Sequence, residues 1–294
     1  MVNARPLPKT CGPIERLASL LDRCSSMREM KQILCRVTVL GLFQDGFLVS
    51  KLLLFCAVSE AGDVDYSYQV FRRLPNPGTF VWNTLIRGFS RTANPNRAVS
   101  LYVQMLRLGV SPDYLTFPFL ARSCARLSSL RLGSSLHCHV AKEGLWGDRY
   151  VQNSLLHMYA SCGDINTARK VFEGMSERNL VSWNALVDGY AKCGDMKAAR
   201  DVFDRMTVRD VVSWSALIDG YVKSGDYRQA LEVFDGMRER GPGPNTVTMV
   251  SALCACAHLG ALDQGRRMHR YVRNHNLHQS LQLATSLVDM YAKC

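Results

Sequence analysis

The feature that most constrains this chain is a self-similarity that returns at fixed intervals. A Leu-x-x-x-aromatic segment occurs at Leu85–Phe89, Leu155–Tyr159, Leu186–Tyr190, Leu217–Tyr221 and Leu287–Tyr291. Its aromatic residues step by 70, 31, 31 and 70 positions. A second signal, aromatic-x-x-Met, runs through Tyr102/Met105, Phe172/Met175, Phe203/Met206 and Phe234/Met237, and its methionines step by 70, 31 and 31. Two independent motifs with one spacing define a repeat, and the repeat period decides the architecture before any local propensity does.

Each interval of 70 divides into two of 35. The middle units resemble each other: Ser123-Cys-Ala-Arg-Leu127 matches Ala255-Cys-Ala-His-Leu259, and Gly133 and His137 match Gly265 and His269 at the same offsets. The units are therefore 79–113, 114–148, 149–179, 180–210, 211–245 and 246–280, with an incomplete one at 281–294 and two weaker ones at 14–45 and 46–78. Within 180–210, Val181, Leu186, Val187 and Tyr190 are spaced for one face of a helix. Gly194-Asp195 then breaks it, the glycine suiting a positive φ and the aspartate a helix cap. Ala198, Ala199, Val202, Phe203 and Met206 predict a second helix, and Gly241-Pro-Gly-Pro244 a turn between units. A hairpin this short cannot bury its own apolar face, but stacked hairpins can. The expected fold is all-α: an α-solenoid, a right-handed superhelix whose first helices line one concave surface.

Composition narrows the function. At 47% hydrophobic and 21% charged, the chain can bury a core, and no apolar run approaches a membrane span. Its formal net charge of +11 favours a polyanionic partner. The 11 cysteines contain no Cys-x-x-Cys pair and are read as mostly small buried hydrophobes in a reducing compartment. Residues 1–13 carry Arg5 and Lys9 and no acid, which fits part of a targeting peptide or simply a disordered start.

Two helical-hairpin families have units of this size. The tetratricopeptide pattern Trp-x-x-Leu-Gly-x-x-Tyr is met by Trp183, Leu186 and Tyr190, but the glycine falls at 189, and the 31/35 alternation departs from that family's fixed length. Residues 211–226 (VVSWSALIDGYVKSGD) with 230–241 (ALEVFDGMRERG) closely resemble the pentatricopeptide repeat. The alternation, with Cys256-Ala-His-Leu-Gly-Ala-Leu-Asp-Gln-Gly-Arg-Arg-Met-His269, resembles its plant subclass of standard, long and short units. The resemblance covers about residues 14–294. It implies sequence-specific binding of single-stranded RNA in a mitochondrion or chloroplast, as an adaptor for C-to-U editing or for processing, with the editing or processing factor supplied in trans. No membrane or DNA partner and no cofactor is expected.

Repeat proteins that read RNA contact one base per repeat through two or three side chains. A polar residue recurs one unit apart in the first helix, after tryptophan in three of four cases: Asn83, Asn153, Asn184 and Ser215. An amide there can meet the Watson–Crick edge of a splayed pyrimidine; capping or satisfying local backbone is the plainer alternative. The resemblance implies that the fifth and last residues of a unit act together. The pairs are Asn83/Asp113, Asn153/Asn179, Asn184/Asp210 and Ser215/Asn245, which the family's rules read as U, C or U, U, and A. The long-unit pairs Pro118/Asp148 and Val250/Ser280 stay open, and the implied core is 5′-U-n-(C/U)-U-A-n-3′. The second residues, Phe80, Leu115, Tyr150, Val181, Val212 and Val247, would wedge between bases, with a core role as the alternative.

No enzyme is expected. The zinc deaminase pattern of His-x-Glu with a later Cys-x-x-Cys is missing, as is a phosphate-binding Gly loop. Cys254-Ala-Cys256-Ala-His258 and His137-Cys-His139 are not read as metal sites, because helical residues two apart do not share a face. The chain stops at Cys294, where earlier units continue with glycine and a second helix, so a unit cut between its helices is expected. A tetratricopeptide-like protein scaffold without an RNA target is the alternative function.

Overall fold

A computed structural model describes residues 12–277 and 280–294. The proposed targeting segment therefore lies almost wholly outside the described residues. Every regular element among the described residues is helical, and none is long and apolar enough to cross a membrane. The chain divides into two units, one ending at Leu127 and one running from Ser128 to Cys294.

The first unit contains α1 (Pro13–Asp22), α2 (Met27–Val39), α3 (Gly46–Val58), α4 (Val64–Phe71), α5 (Thr79–Arg91), α6 (Asn96–Arg107) and α7 (Thr116–Arg126). Its helices α3, α5 and α7 pack side by side, with α4 and α6 against them. The second unit contains α8 (Leu130–Lys142), α9 (Arg149–Ser161), α10 (Ile165–Glu173), α11 (Leu180–Lys192), α12 (Met196–Asp204), α13 (Val211–Lys223), α14 (Tyr227–Arg240), α15 (Thr246–Leu259), α16 (Leu262–Asn274) and α17 (Leu281–Lys293). Here α9, α11, α13, α15 and α17 form one continuous row, and α10, α12, α14 and α16 each fill the angle between two of them. Each unit is thus a stack of helical hairpins, the solenoid arrangement expected of the repeat.

Local chemistry sets the helix ends. Gly163, Gly194 and Gly225 take φ of +83°, +80° and +81°, a left-handed geometry in which a Cβ would be strained. Each is followed by an aspartate, Asp164, Asp195 or Asp226, whose side chain caps the next helix by accepting from a backbone N–H.

Two contacts join successive hairpins. First helices touch at glycine: a Cβ on Gly189 would stand 2.8 Å from the Ala160 Cβ, and one on Gly220 would stand 2.7 Å from the Ala191 Cβ. Tryptophans tie three of the second helices, α4, α10 and α12, to the following first helix. Phe71–Trp82, Phe172–Trp183 and Phe203–Trp214 meet edge to face at 4.6, 4.8 and 4.8 Å. Such a pair adds about 0.5–1.5 kcal/mol beyond the area it buries.

The expected burial is corrected in two places. Leu186 and Val187 are buried, but Val181, assigned to the same apolar face, is exposed. Helical spacing of three and four residues puts it with Asn184, Ala185 and Asp188 rather than with Leu186 and Tyr190, and the adjacent Ser182 is buried. Among the described cysteines only Cys56, Cys124 and Cys256 are buried; Cys35, Cys138, Cys193 and Cys294 are exposed. Cys162 and Cys193 occupy helix C-caps, at the rim rather than in the core. Burial, reinforced by the charge of Asp63, pushes the Cys56 thiol up to about 12.

Candidate functional site

The residues expected to end each repeat stand at or just before the start of the next first helix, and this placement builds the candidate site. Asp148, Asn179, Asp210 and Asn245 are the N-caps of α9, α11, α13 and α15, and each accepts a backbone N–H three residues on. Asp113 does the same work one turn ahead of α7, accepting from the N–H groups of Leu115 and Thr116 at 2.9 and 3.0 Å. Ser280 stands at the N-cap of α17 without a side-chain cap bond.

The fifth residue of the preceding unit reaches these caps. Asn83 Nδ2 donates to Asp113 Oδ1 at 2.8 Å, and Asn184 Nδ2 donates to Asp210 Oδ1 at 3.1 Å. Asn153 Nδ2 approaches Asn179 Oδ1 at 3.5 Å. Ser215 is too short to touch Asn245. Its hydroxyl meets the Thr248 hydroxyl at 2.7 Å, and Thr248 Oγ1 donates to Asn245 Oδ1 at 2.8 Å. Three of the four pairs therefore meet directly and one through a relay. The fifth-position amides cap no helix themselves; capping belongs to their partners.

The geometry orients the amides. The Asp210 carboxylate only accepts, so Asn184 must turn its N–H toward it. The Asn184 carbonyl oxygen is then buried with no hydrogen-bond partner, and so is that of Asn153. In Asn83 the corresponding oxygen accepts from the Thr116 hydroxyl at 2.7 Å. Burial works against ionisation of Asp210, but the Ser213 N–H, the Asn184 amide and the Ser213 hydroxyl outweigh it and hold the carboxyl below its ordinary range.

The second-position side chains face solvent. Phe80, Leu115, Tyr150, Val181, Val212 and Val247 are all exposed, from 41% for Leu115 to 71% for Tyr150. None is a core residue. Pro118 and Val250, fifth in the long units, are half-buried and carry no hydrogen-bonding side chain.

Two sets of residues escaped the sequence reading. Thr116, Ser182, Ser213 and Thr248 stand three positions after Asp113, Asn179, Asp210 and Asn245, and all four hydroxyls hydrogen-bond within the cap. The constant Asx-x-x-Ser/Thr spacing was the available signal. Lys192, Lys223 and Lys293 pair with Asp188, Asp219 and Asp289 one turn earlier on their own helices. In α11, Asp188 lies four residues after Asn184, so an acid and its cation sit near the amide row.

Among the described residues, no three His, Cys, Asp or Glu side chains converge as metal ligands would. The cluster at 254–258 is split: Cys256 is buried against Met268, while His258 is exposed and stacks on Tyr227 at 4.3 Å. His137 Nδ1 and the Tyr159 hydroxyl share a hydrogen bond at 3.0 Å, a structural role repeated by His269 and Tyr291 at 2.9 Å.

Comparison with known proteins places the architecture. A family model described as PPR repeat family matches residues 77–126 and 209–258, and one described as PPR repeat matches 153–180 and 181–211. Together they cover more than half of the chain. The pentatricopeptide repeat-containing protein At5g08305 of Arabidopsis thaliana is 56% identical over 97% of this chain and 54% of its own length. At2g42920 of the same plant, named chloroplastic, is 53% identical over 94% of this chain and 50% of its own length. At2g22410, named mitochondrial, is 34% identical over 95% and 37%. The chain thus spans about half the length, or less, of these relatives. The crystal structure of the maize pentatricopeptide repeat protein PPR10 superposes with a TM-score of 0.51 at 20% identity, over 90% of this chain and 44% of that one. PPR10 in complex with an 18-nt psaJ RNA element gives 0.52 at 19%, over 94% and 47%. Shared repeat, shared fold and high identity along nearly the whole chain lead to one conclusion: the chain belongs to the pentatricopeptide repeat (PPR) family.

Proposed function

We propose that the chain binds single-stranded RNA, one base per repeat, in a mitochondrion or chloroplast. It acts as a non-enzymatic adaptor for C-to-U editing or processing by a factor supplied in trans. The observation that carries this reading is the recurring contact between the fifth residue of one repeat and the cap of the next. Polar side chains that hold each other in a fixed orientation, beside an exposed apolar or aromatic residue, suit a splayed base: the first read its edge and the second stacks on its face. The solved RNA complex of PPR10, a protein with the same fold, supports the partner class. Relatives named chloroplastic and mitochondrial support an organelle. The long–short alternation supports the plant subclass and the repeat boundaries given above.

The contact atoms differ from the simplest expectation. Because the Asn184 carbonyl oxygen is buried, the edge left for a base is the amide N–H together with the Asp210 carboxylate. A donor beside an acceptor complements uracil, whose O4 accepts and whose N3–H donates. The Asn153/Asn179 pair lacks the carboxylate, which fits a looser C-or-U preference. At Ser215/Asn245 a hydroxyl replaces the amide, for an A.

The test exchanges one pair. Asn184→Ser with Asp210→Asn copies the Ser215/Asn245 pair into unit 180–210. RNA pools varied at every position would be bound by both proteins. The preference should move from U to A at one position, by about 1–3 kcal/mol, the worth of one well-formed base contact. A preference that stays, or moves at several positions together, refutes the one-repeat, one-base reading. A tetratricopeptide-like scaffold would show no RNA preference to move.

A further inference from the structure

The third residue of a unit is matched to the fifth residue of the unit before it. Where that fifth residue is polar (Asn83, Asn153, Asn184 or Ser215), the third residue that follows carries a hydroxyl: Thr116, Ser182, Ser213 or Thr248. Where it is Pro118 or Val250, the follower is Val151 or Leu283. All six followers are fully buried. None can touch a ligand itself, so any influence on a bound base must pass through the fifth residue.

The two threonines reach further than the two serines. Ser182 donates back to the Asn179 carbonyl oxygen at 2.8 Å, and Ser213 lies 3.0 and 2.9 Å from the carbonyl and carboxylate oxygens of Asp210. Thr116 Oγ1 lies 2.7 Å from Asn83 Oδ1 and 3.1 Å from Asp113 Oδ1. Both neighbours only accept, and a hydroxyl has one proton. Asp113 Oδ1 already receives the Asn83 amide and the N–H groups of Leu115 and Thr116, so the proton goes to the shorter contact, with Asn83. The Asn83 amide is then held at both ends. At Thr248 the same arithmetic runs the other way. Asn245 Oδ1 only accepts, so its 2.8 Å contact requires the Thr248 proton. The 2.7 Å contact between Ser215 and Thr248 then requires the Ser215 proton. Ser215 is left with lone pairs and no donor to offer, which suits the amino group of adenine and not O6 of guanine.

We propose that Thr248 and Thr116 are positioning residues for base selection: each fixes, from the buried side, which hydrogen-bonding groups the fifth residue of the preceding unit turns to an RNA base. Thr248 makes Ser215 an acceptor and so separates A from G. Thr116 locks the Asn83 amide with its N–H toward Asp113. Ser182 and Ser213 leave the carbonyl oxygens of Asn153 and Asn184 without a partner, so those amides are held at one end only. The inference rests on the one-repeat, one-base reading and adds to each pair a third member that no base touches.

The test binds RNA pools varied at every position to the full chain and to Thr248→Val, which keeps the shape and removes the hydroxyl. Freed of its acceptor, the Ser215 hydroxyl can donate to guanine, and the ratio of A to G at that one position should fall about fivefold, the worth of one hydrogen bond. Every other position should keep its preference. Thr248→Ala, which removes the same hydroxyl, decides the question if the valine variant fails to fold. A second arm needs no RNA: in Thr116→Val, solvent exchange of the Asn83 side-chain amide, followed by nuclear magnetic resonance, should quicken. An unchanged ratio of A to G beside an intact wild-type preference for A overturns the inference and leaves the one-base reading standing. A wild type with no preference for A at that position overturns both. Preferences that shift at several positions together show a merely structural threonine, and unchanged Asn83 exchange removes Thr116 from the proposal.

Discussion

The row of first helices makes a sharp prediction about one substitution placed at two sites. Gly189 in α11 and Gly236 in α14 are both helix-interior glycines, and replacing such a residue with alanine recovers about 0.8–1.0 kcal/mol of helix propensity. At Gly236 nothing opposes that gain, since the nearest heavy atoms to the new Cβ are ring carbons of Trp214 at 3.7 Å. At Gly189 the new Cβ meets the Ala160 Cβ at 2.8 Å and the Ile165 Cδ1 at 2.9 Å. The isoleucine tip can rotate aside, but the alanine Cβ is fixed to the backbone of α9. Relief requires the two helices to separate by several tenths of an ångström, and overpacking of this kind costs about 1–3 kcal/mol. Subtracting the propensity gain leaves Gly189→Ala destabilising by about 1 kcal/mol, whereas Gly236→Ala stabilises by nearly the same amount. Urea titrations followed by circular dichroism would place the two variants on opposite sides of wild type. If both midpoints move the same way, the close approach of α9 and α11 is not what keeps position 189 small.

Acid should test the Asp210 network. Its carboxyl is held below the ordinary value of 3.8, so the stability it adds is present above that pH and is lost as pH falls through the lower folded value. Asp210→Asn should flatten the acid limb of a stability-versus-pH curve; an unchanged limb would assign the acid sensitivity to other carboxylates. Asn179→Ala removes the α11 cap and the partner of Asn153, and should lower stability by about 1 kcal/mol in the same urea assay. RNA affinity should fall steeply with salt. Six neutralised phosphates on a single strand give a log–log slope near −4, by the rule of about −0.7 per phosphate; a flat dependence, measured by filter binding, would favour a protein-binding scaffold.

The fold was legible because its signal was redundant. The Leu-x-x-x-aromatic and aromatic-x-x-Met motifs report the same spacing from the two helices of each hairpin, so an error in either would have shown as disagreement. The Gly-Asp break read at 194–195 coincides with a real helix end, and Gly163-Asp164 and Gly225-Asp226 repeat it, because positive φ and capping are local chemistry. What the sequence could not reveal depends on atoms far apart along the chain. Asn184 and Asp210 are 26 residues apart, and which amide edge faces the carboxylate is decided only when α13 packs on α11. Thr116 and Thr248 look like ordinary helix-start residues until the fold sets them against Asn83 and Ser215. Val181 misled because it was grouped by apolar character, although its spacing puts it with Asn184 rather than with Leu186. The cysteines misled because the statistics of burial describe an average thiol, while Cys162 and Cys193 serve as helix C-caps at the rim.

The double duty of the capping residue limits how such a chain can change. Each of Asp113, Asp148, Asn179, Asp210 and Asn245 satisfies backbone N–H groups at the start of a first helix, whatever else it touches. A substitution there is screened for folding before the base recognition proposed above. The side chains that survive the first screen are short, Asp, Asn, Ser and Thr, and glycine also passes, as Gly78 does at the N-cap of α5. Any vocabulary written at that position is therefore confined to a few letters by helix chemistry. The fifth residue, freed from capping, can vary more widely, as Asn, Ser, Pro and Val do here. Diversification among relatives should accordingly be lopsided, with broad change at one member of each pair and movement within a small alphabet at the other.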